Sequence, residues 1–361
     1  MSIVKPRRNG YIDIIKFLFA IIIAEFHLGS GVFLGGRLAV EGFFMISSFL
    51  MMKSVEKSDP LENTGISTAK FLFRKYKGLL PILFVSAIIG FVVYCIFNNY
   101  TFEVSLEKLP LLIFDIFPAL TAGFKGFYVV GISWYLSAMF IVLAVFFPLA
   151  KKFKSGFSLI ACPLIALFCY GLLSSKYGHL AVGTSFFPET IIHSGILRAL
   201  AGCALGCVIY EIIKKMSGKS YTIFARIVFT VLEILSILFI FYMMHHFSKT
   251  NIDYVVVFVI FGMLIIGISG ASYTSYLWNP KWTKLFGTVS TLIVLNHYCW
   301  TRLLKSKFKD LDKAETVLLY IGMVVASCIV VYFTSKLISF LAKKLFQKKL
   351  WLKESSDKEQ A

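Results

Sequence analysis

The stretch YIDIIKFLFAIIIAEFHLG, Tyr11 to Gly29, decides the fold. It is apolar and long enough to cross a bilayer as a helix, for which about 20 residues suffice. Yet it carries Asp13, Lys16, Glu25 and His27. A charge at the centre of a membrane helix costs about 2.5–3.5 kcal/mol or more unless it faces protein or water. Each of these groups is therefore a functional candidate. At about 100° per residue, His27 lies about 20° from Lys16 and about 16 Å further along the axis. Asp13 sits about 60° to the other side, one turn nearer the N terminus. Asp13, Lys16 and His27 thus share one face, in that order. Glu25 points about 180° from Lys16 and needs a partner on another helix or a place in the outer interface. A purely structural reading competes: Asp13 and Lys16 can snorkel, and His27 can bond a neighbouring helix.

Working outward, the 361 residues are 58% hydrophobic, with mean hydropathy +0.79. That is too apolar for a soluble domain and fits a polytopic membrane protein. Net charge is +18, but the basic residues form short clusters between apolar runs, as cytoplasmic loops do. No basic patch interleaved with aromatics marks a nucleic-acid surface, so no nucleic-acid partner is expected. The seven cysteines lie in or beside apolar runs without a CxxC pair. Cys203 and Cys207 share a helix face, but packing is the expected role and no metal site is predicted. The first apolar run contains charges and lacks a small-x-small cleavage site, so it is not a cleavable signal.

The pattern predicts an all-α membrane bundle of about ten spans, near 11–32, 38–53, 79–98, 128–150, 156–174, 191–213, 223–245, 253–271, 284–303 and 315–341. The second is short, and a tilted or re-entrant segment is an option there. Residues 99–127 contain an apolar patch, LPLLIFDIF, but two prolines and Asp115 argue for an outer loop dipping into the interface. With ten spans, the basic clusters at Lys5–Arg8, Lys70–Lys77, Lys151–Lys154, Lys214–Arg226, Lys281–Lys284 and Lys343–Lys349 fall on one side. Both termini are then cytoplasmic. The loop KSKFKDLDK, 305–313, breaks the rule by being basic on the outer side. A single membrane domain, 1–345, is expected to fill the chain, followed by a basic and polar cytoplasmic tail, 346–361, whose end, KESSDKEQA (353–361), reads as disordered.

Beyond the first span, Glu41 and Ser47 are the polar points of RLAVEGFFMISSFLMM. Arg74, Lys75 and Lys77 stand where the third span begins. Arg198 lies inside the sixth, Trp134 inside the fourth, and Asn296 and His297 toward the outer end of the ninth. The order of these motifs resembles the acyltransferase-3 family of integral membrane O-acyltransferases. Asp13, Lys16 and His27 reproduce that family's acidic–basic–histidine spacing, with Lys16 where Arg is usual. VEGFFMISSF (Val40–Phe49) is similar to its VE-x-FF-x-x-SGF segment, with Ser48 in place of Gly. RKYKGLLP matches an R-x-x-R before proline, with Lys77 as the second basic residue. SWYLSAMF supplies W-x-L-S through Trp134 and Ser137. FGTVSTLIVLNH supplies LG-x-x-S…H through Gly287, Ser290 and His297, with Thr291 where Tyr is usual.

The resemblance covers about residues 9–341. It implies transfer of an acetyl or similar short acyl group from cytoplasmic acetyl-CoA to a hydroxyl of an extracytoplasmic glycan or glycolipid, in a bacterial cytoplasmic membrane. Within it, His27 is the expected general base, since burial favours a neutral imidazole. Glu41 is in place to pair with Lys16 or to orient His27. Lys16, Arg74, Lys75, Lys77 and Arg198 are the expected cations for the donor phosphates. Lys for Arg gives up bidentate phosphate recognition. Trp134, Asn296 and His297 are candidates for the acceptor, and Asp13 and Ser47 for support. The rival is a flippase for a lipid-linked glycan without acyl chemistry. The inverted repeats and paired broken helices common in transporters are not seen in the sequence.

Overall fold

The computed structural model describes residues 8–117, 131, 133–183, 187, 192–278, 280–308 and 310–359. It is a bundle of helices, with no β-strand among the described residues. The long helices are α1 (Gly10–Leu28), α2 (Ala39–Glu56), α3 (Thr64–Asn98), α6 (Ser133–Gly156), α7 (Cys162–Tyr177), α8 (Ser194–Met216), α9 (Ile223–His246), α10 (Ile252–Ser269), α11 (Pro280–Lys307) and α12 (Lys313–Glu359). Two short helices, α4 (Phe102–Lys108) and α5 (Ile113–Ile116), follow α3. Each expected span coincides with one long helix.

Seven helical stretches among the described residues are long and apolar enough to cross a membrane. Helix α1 is not among them: within its 19 residues Asp13, Lys16 and Glu25 are too closely spaced to leave a long uncharged run, and α11 carries Lys281, Lys284, Arg302, Lys305 and Lys307. Helices α6 and α7 form one of the seven stretches, Ser133–Tyr177, yet helical geometry breaks inside it at Lys154 (φ 49, ψ −129). The protein is a polytopic α-helical membrane protein.

Several boundaries differ from the sequence expectation. Helix α1 stops at Leu28 because Gly29 adopts the left-handed conformation (φ 76) that favours glycine. A 3₁₀ turn, Gly36–Leu38, extends α2 to a continuous 21-residue stretch, Gly36–Glu56, rather than a short or re-entrant one. Helix α3 begins at Thr64, where the Asn63 side chain caps the amides of Gly65 and Ile66. Its 35 residues place Arg74, Lys75 and Lys77 inside a helix rather than at its start. Helix α12 runs on to Glu359, so most of the tail expected to be disordered is helical. Its Lys, Leu, Gln and Glu residues have high helix propensity. Of the loop expected at 99–127, residues 118–127 lie outside the described residues, as do Lys5 and Arg7.

Small residues let the central helices approach. Gly202 and Gly206, spaced as in GxxxG, lay α8 against α2. A Cβ on Gly206 would lie 2.1 Å from the Met45 carbonyl oxygen. Helix α1 packs along α11 and against α2, and α12 covers α11 and α3. A Cβ on Gly287 of α11 would lie 2.2 Å from Asp13 Oδ1. That glycine is what admits the carboxylate.

Candidate active site

Helices α1 and α11 carry the site between them. At the N-terminal end of α1, Asn9 caps the amides of Tyr11 and Ile12. Arg8 there forms a bidentate pair with Asp13, Nε–Oδ2 2.5 Å and Nη2–Oδ1 2.7 Å. One turn on, the Lys16 carbonyl accepts the Ser290 hydroxyl at 3.0 Å, which fixes α1 against α11. Lys16 and Lys75 lie within electrostatic reach of each other. Both are half-buried, and neither forms an ion pair among the described residues. Arg74 and Lys77, three residues apart on α3, face outward and are exposed. Of the four cations expected to meet the donor in this region, the fold brings two together.

At the other end of α1, His27 meets His297 of α11, with His27 Nδ1 3.1 Å from His297 Nε2. The surrounding acceptors determine the tautomers. His297 Nδ1 faces only carbonyl oxygens, Ile293 at 3.0 Å and Val294 at 2.9 Å. A nitrogen facing carbonyls must carry the proton, so the neutral His297 ring has its lone pair on Nε2. His27 Nδ1 in turn faces that lone pair and the Ile23 carbonyl at 2.9 Å. It too must carry the proton, which leaves the lone pair of His27 on Nε2. Among the described residues, that atom has no hydrogen-bond partner. Tyr298 packs edge-on against the His27 ring, centroids 5.2 Å apart. Lys305 Nζ donates to the His27 carbonyl at 3.0 Å.

His27 lines a small cavity of about 60 Å³ with Arg37, Trp134, Tyr135 and Arg198. Trp134 is held between Gly183 and Gly195, where an added Cβ would lie 2.8 and 2.7 Å from the indole. The Arg198 guanidinium sits 5.4 Å from the ring centroid. Arg198 Nε also pairs with Glu41 Oε1 at 2.7 Å, and the Tyr170 hydroxyl donates to Glu41 Oε2 at 2.6 Å. Both Glu41 oxygens are therefore engaged away from Lys16 and His27, correcting the expected pairing: Glu41 holds α2 to α8 and α7. Ser47 lies against the Tyr135 hydroxyl. Asn296 is buried, and its amide donates to the Leu292 carbonyl at 2.8 Å. It buttresses the helix beside His297 and does not line the cavity.

Glu25, isolated on the far face of α1, accepts from the Val32 amide at 2.9 Å, the Phe33 amide at 2.7 Å and the Ser30 hydroxyl. Its partner is the loop that follows its own helix. Arg37 was not among the sequence candidates. It lines the cavity and pairs with Asp253 of α10, Nη2–Oδ2 2.6 Å, while its Nε has no hydrogen-bond partner among the described residues. An arginine inside the apolar run GGRLAVEGFF was the available signal.

Fold and site together define a polytopic membrane protein with a tautomer-fixed histidine pair buried between two of its helices. Residues 9–336 match the family model described as an acyltransferase domain. The chain belongs to the acyltransferase-3 family and is a membrane acyltransferase. Against the curated proteins and the solved structures, it finds no match.

Proposed function

We propose that the protein moves an acetyl or similar short acyl group from cytoplasmic acyl-CoA to a hydroxyl of an extracytoplasmic or lipid-linked glycan. The observation that carries this reading is the free lone pair of His27 Nε2, fixed by His297 through the Nδ1 hydrogen bond at 3.1 Å. A base so fixed takes the proton of an attacking hydroxyl as its oxygen bonds the thioester carbonyl carbon. The C–S bond then breaks, and His27 returns the proton to the thiolate. Throughout, Nδ1–H stays on the His297 lone pair and the Ile23 carbonyl, which stabilise the transient imidazolium. The arrangement has the logic of a base held by an orienting neighbour.

The donor would enter at the N-terminal end of α1. A cavity of about 470 Å³ there is lined by Arg8, Lys53, Tyr276 and Trp278, among others. Its Arg8 and Lys53 suit a polyphosphate nucleotide; Lys16 and Lys75, which are not part of its lining, would meet the donor beyond it. Lys16 stands about 16 Å along the axis from His27, a span for a slim pantetheine arm. On the acceptor side, the 60 Å³ cavity admits a hydroxyl and its neighbouring carbon, with Trp134 as an apolar wall. NMR of the cell-surface glycans with and without the gene tests the acceptor. Ester signals lost with the gene and restored by the wild type, but not by His27→Ala, support the reading. Identical spectra with and without the gene contradict it.

A further inference from the structure

An apolar groove of about 750 Å³ runs between α1, α11 and α12, on a different face of α1 from the His27 cavity. Its wall on α12 extends from Lys313 to Phe333, about 30 Å of helix. That equals the hydrocarbon thickness of a whole bilayer, about 30 Å, whereas a phospholipid chain reaches about half of it. Its charged residues, Glu25 and Lys313, are both at the His27 end. Glu25 is satisfied by the loop after α1. Lys313 is exposed and has no ion-pair or hydrogen-bond partner among the described residues. Lys305 stands at the same end, on the His27 carbonyl.

We propose that this groove holds the hydrocarbon chain of the acceptor, a lipid of isoprenoid length, with its phosphate at the His27 end beside Lys313 and Lys305. The inference rests on the acceptor being a lipid-linked glycan. Three observations support it. The groove is too long for one leaflet's acyl chain. Its free cation complements a phosphate, which also accounts for the basic loop 305–313 that breaks the charge rule. And its walls belong to the helices that carry the histidine pair. The Ile293 side chain lines the groove while its carbonyl holds His297 Nδ1. Tyr320 lines it and donates to the Ala24 carbonyl at 3.0 Å. A chain seated here puts its headgroup at the end of α1. The glycan then turns over Gly29, about 100° around the helix, to reach His27.

The test is photolabelling of the full chain in phosphatidylcholine nanodiscs by a long-chain polyprenyl phosphate bearing a photoreactive group, with no acyl donor present. The expected result is label on the α12 and α1 peptides of the groove, displaced by unlabelled polyprenyl phosphate and not by excess phosphatidylglycerol. Lys313→Glu lowers labelling about fivefold or more, and Val325→Trp, which fills the groove, abolishes it. Both residues are exposed, so neither change threatens folding. Equal displacement by phosphatidylglycerol, marking an ordinary boundary lipid, overturns the proposal, as does labelling indifferent to both variants. Groove labelling by a protein that transfers no acyl group when acyl-CoA is supplied in a separate assay would defeat the catalytic reading and leave the groove standing. Transfer to a soluble saccharide without groove labelling would do the reverse.

Discussion

Replacing His297 by alanine removes the lone pair that receives His27 Nδ1–H at 3.1 Å, while the Ile23 carbonyl at 2.9 Å remains. The tautomer of His27 therefore survives, but the ring loses its partner across the helix interface. That partner matters most when His27 takes up a proton. A hydrogen bond to a charged group contributes about 1.5–3 kcal/mol. At about 1.4 kcal/mol per decade, kcat for acyl transfer should fall about 10- to 150-fold. KM for the acyl donor should stay unchanged, since Lys16 and Lys75, the cations proposed for the donor, lie at the other end of α1. The assay is the initial rate of radiolabelled acetyl transfer from acetyl-CoA, at matched amounts of monodisperse protein. In a His27→Ala background, His297→Ala should cost nothing further, because its effect passes through His27. A kcat within about twofold of wild type, or an additive loss in the double variant, would refute the orienting role.

Three other perturbations probe different parts of the molecule. Gly206→Ala drives a Cβ to 2.0 Å from Ser48 Oγ and 2.1 Å from the Met45 carbonyl oxygen. Thermal unfolding in detergent should show about 1–3 kcal/mol of lost stability, and an unchanged midpoint would contradict the α2–α8 packing. Glu41→Ala strands the buried Arg198 charge and should cost about 3–5 kcal/mol, seen as lost yield and a lower midpoint. The double change Glu41→Leu with Arg198→Met should recover part of it. Lys16→Met and Lys75→Met should each raise KM for acyl-CoA about tenfold and weaken its salt dependence. Arg74→Met and Lys77→Met, on the exposed face of α3, should stay within about twofold; equal effects at all four would deny the inward pair its role.

Much of the fold was legible because apolar length is a strong signal in a membrane chain. The places where it misled have physical causes. Hydropathy places the start of α3 at Leu79 because it registers the apolar half of a helix and not the polar turns before it; the Asn63 cap marks the true start. In the site, the shared face of Asp13, Lys16 and His27 follows from helical geometry alone. The partners of that face do not. Glu41 reaches Arg198, 157 residues away in sequence, a choice set by the approach of α2 to α8 at Gly202 and Gly206. His297, an acceptor candidate from its sequence position, meets His27, a contact the sequence does not show because which helix lies beside α1 is a matter of packing. Glu25 looked misplaced because the loop it folds adopts its course only after Gly29 ends the helix.

The central claim is that His27 accepts the acceptor hydroxyl's proton in an acyl transfer from acyl-CoA. Its most direct test incubates purified protein with radiolabelled acetyl-CoA and membrane glycolipid, and compares wild type with His27→Gln, both verified as folded by thermal unfolding. The expected result is label carried into the glycolipid by wild type and lost by at least about a hundredfold in the variant. Equal labelling by folded His27→Gln would show that another group takes the proton.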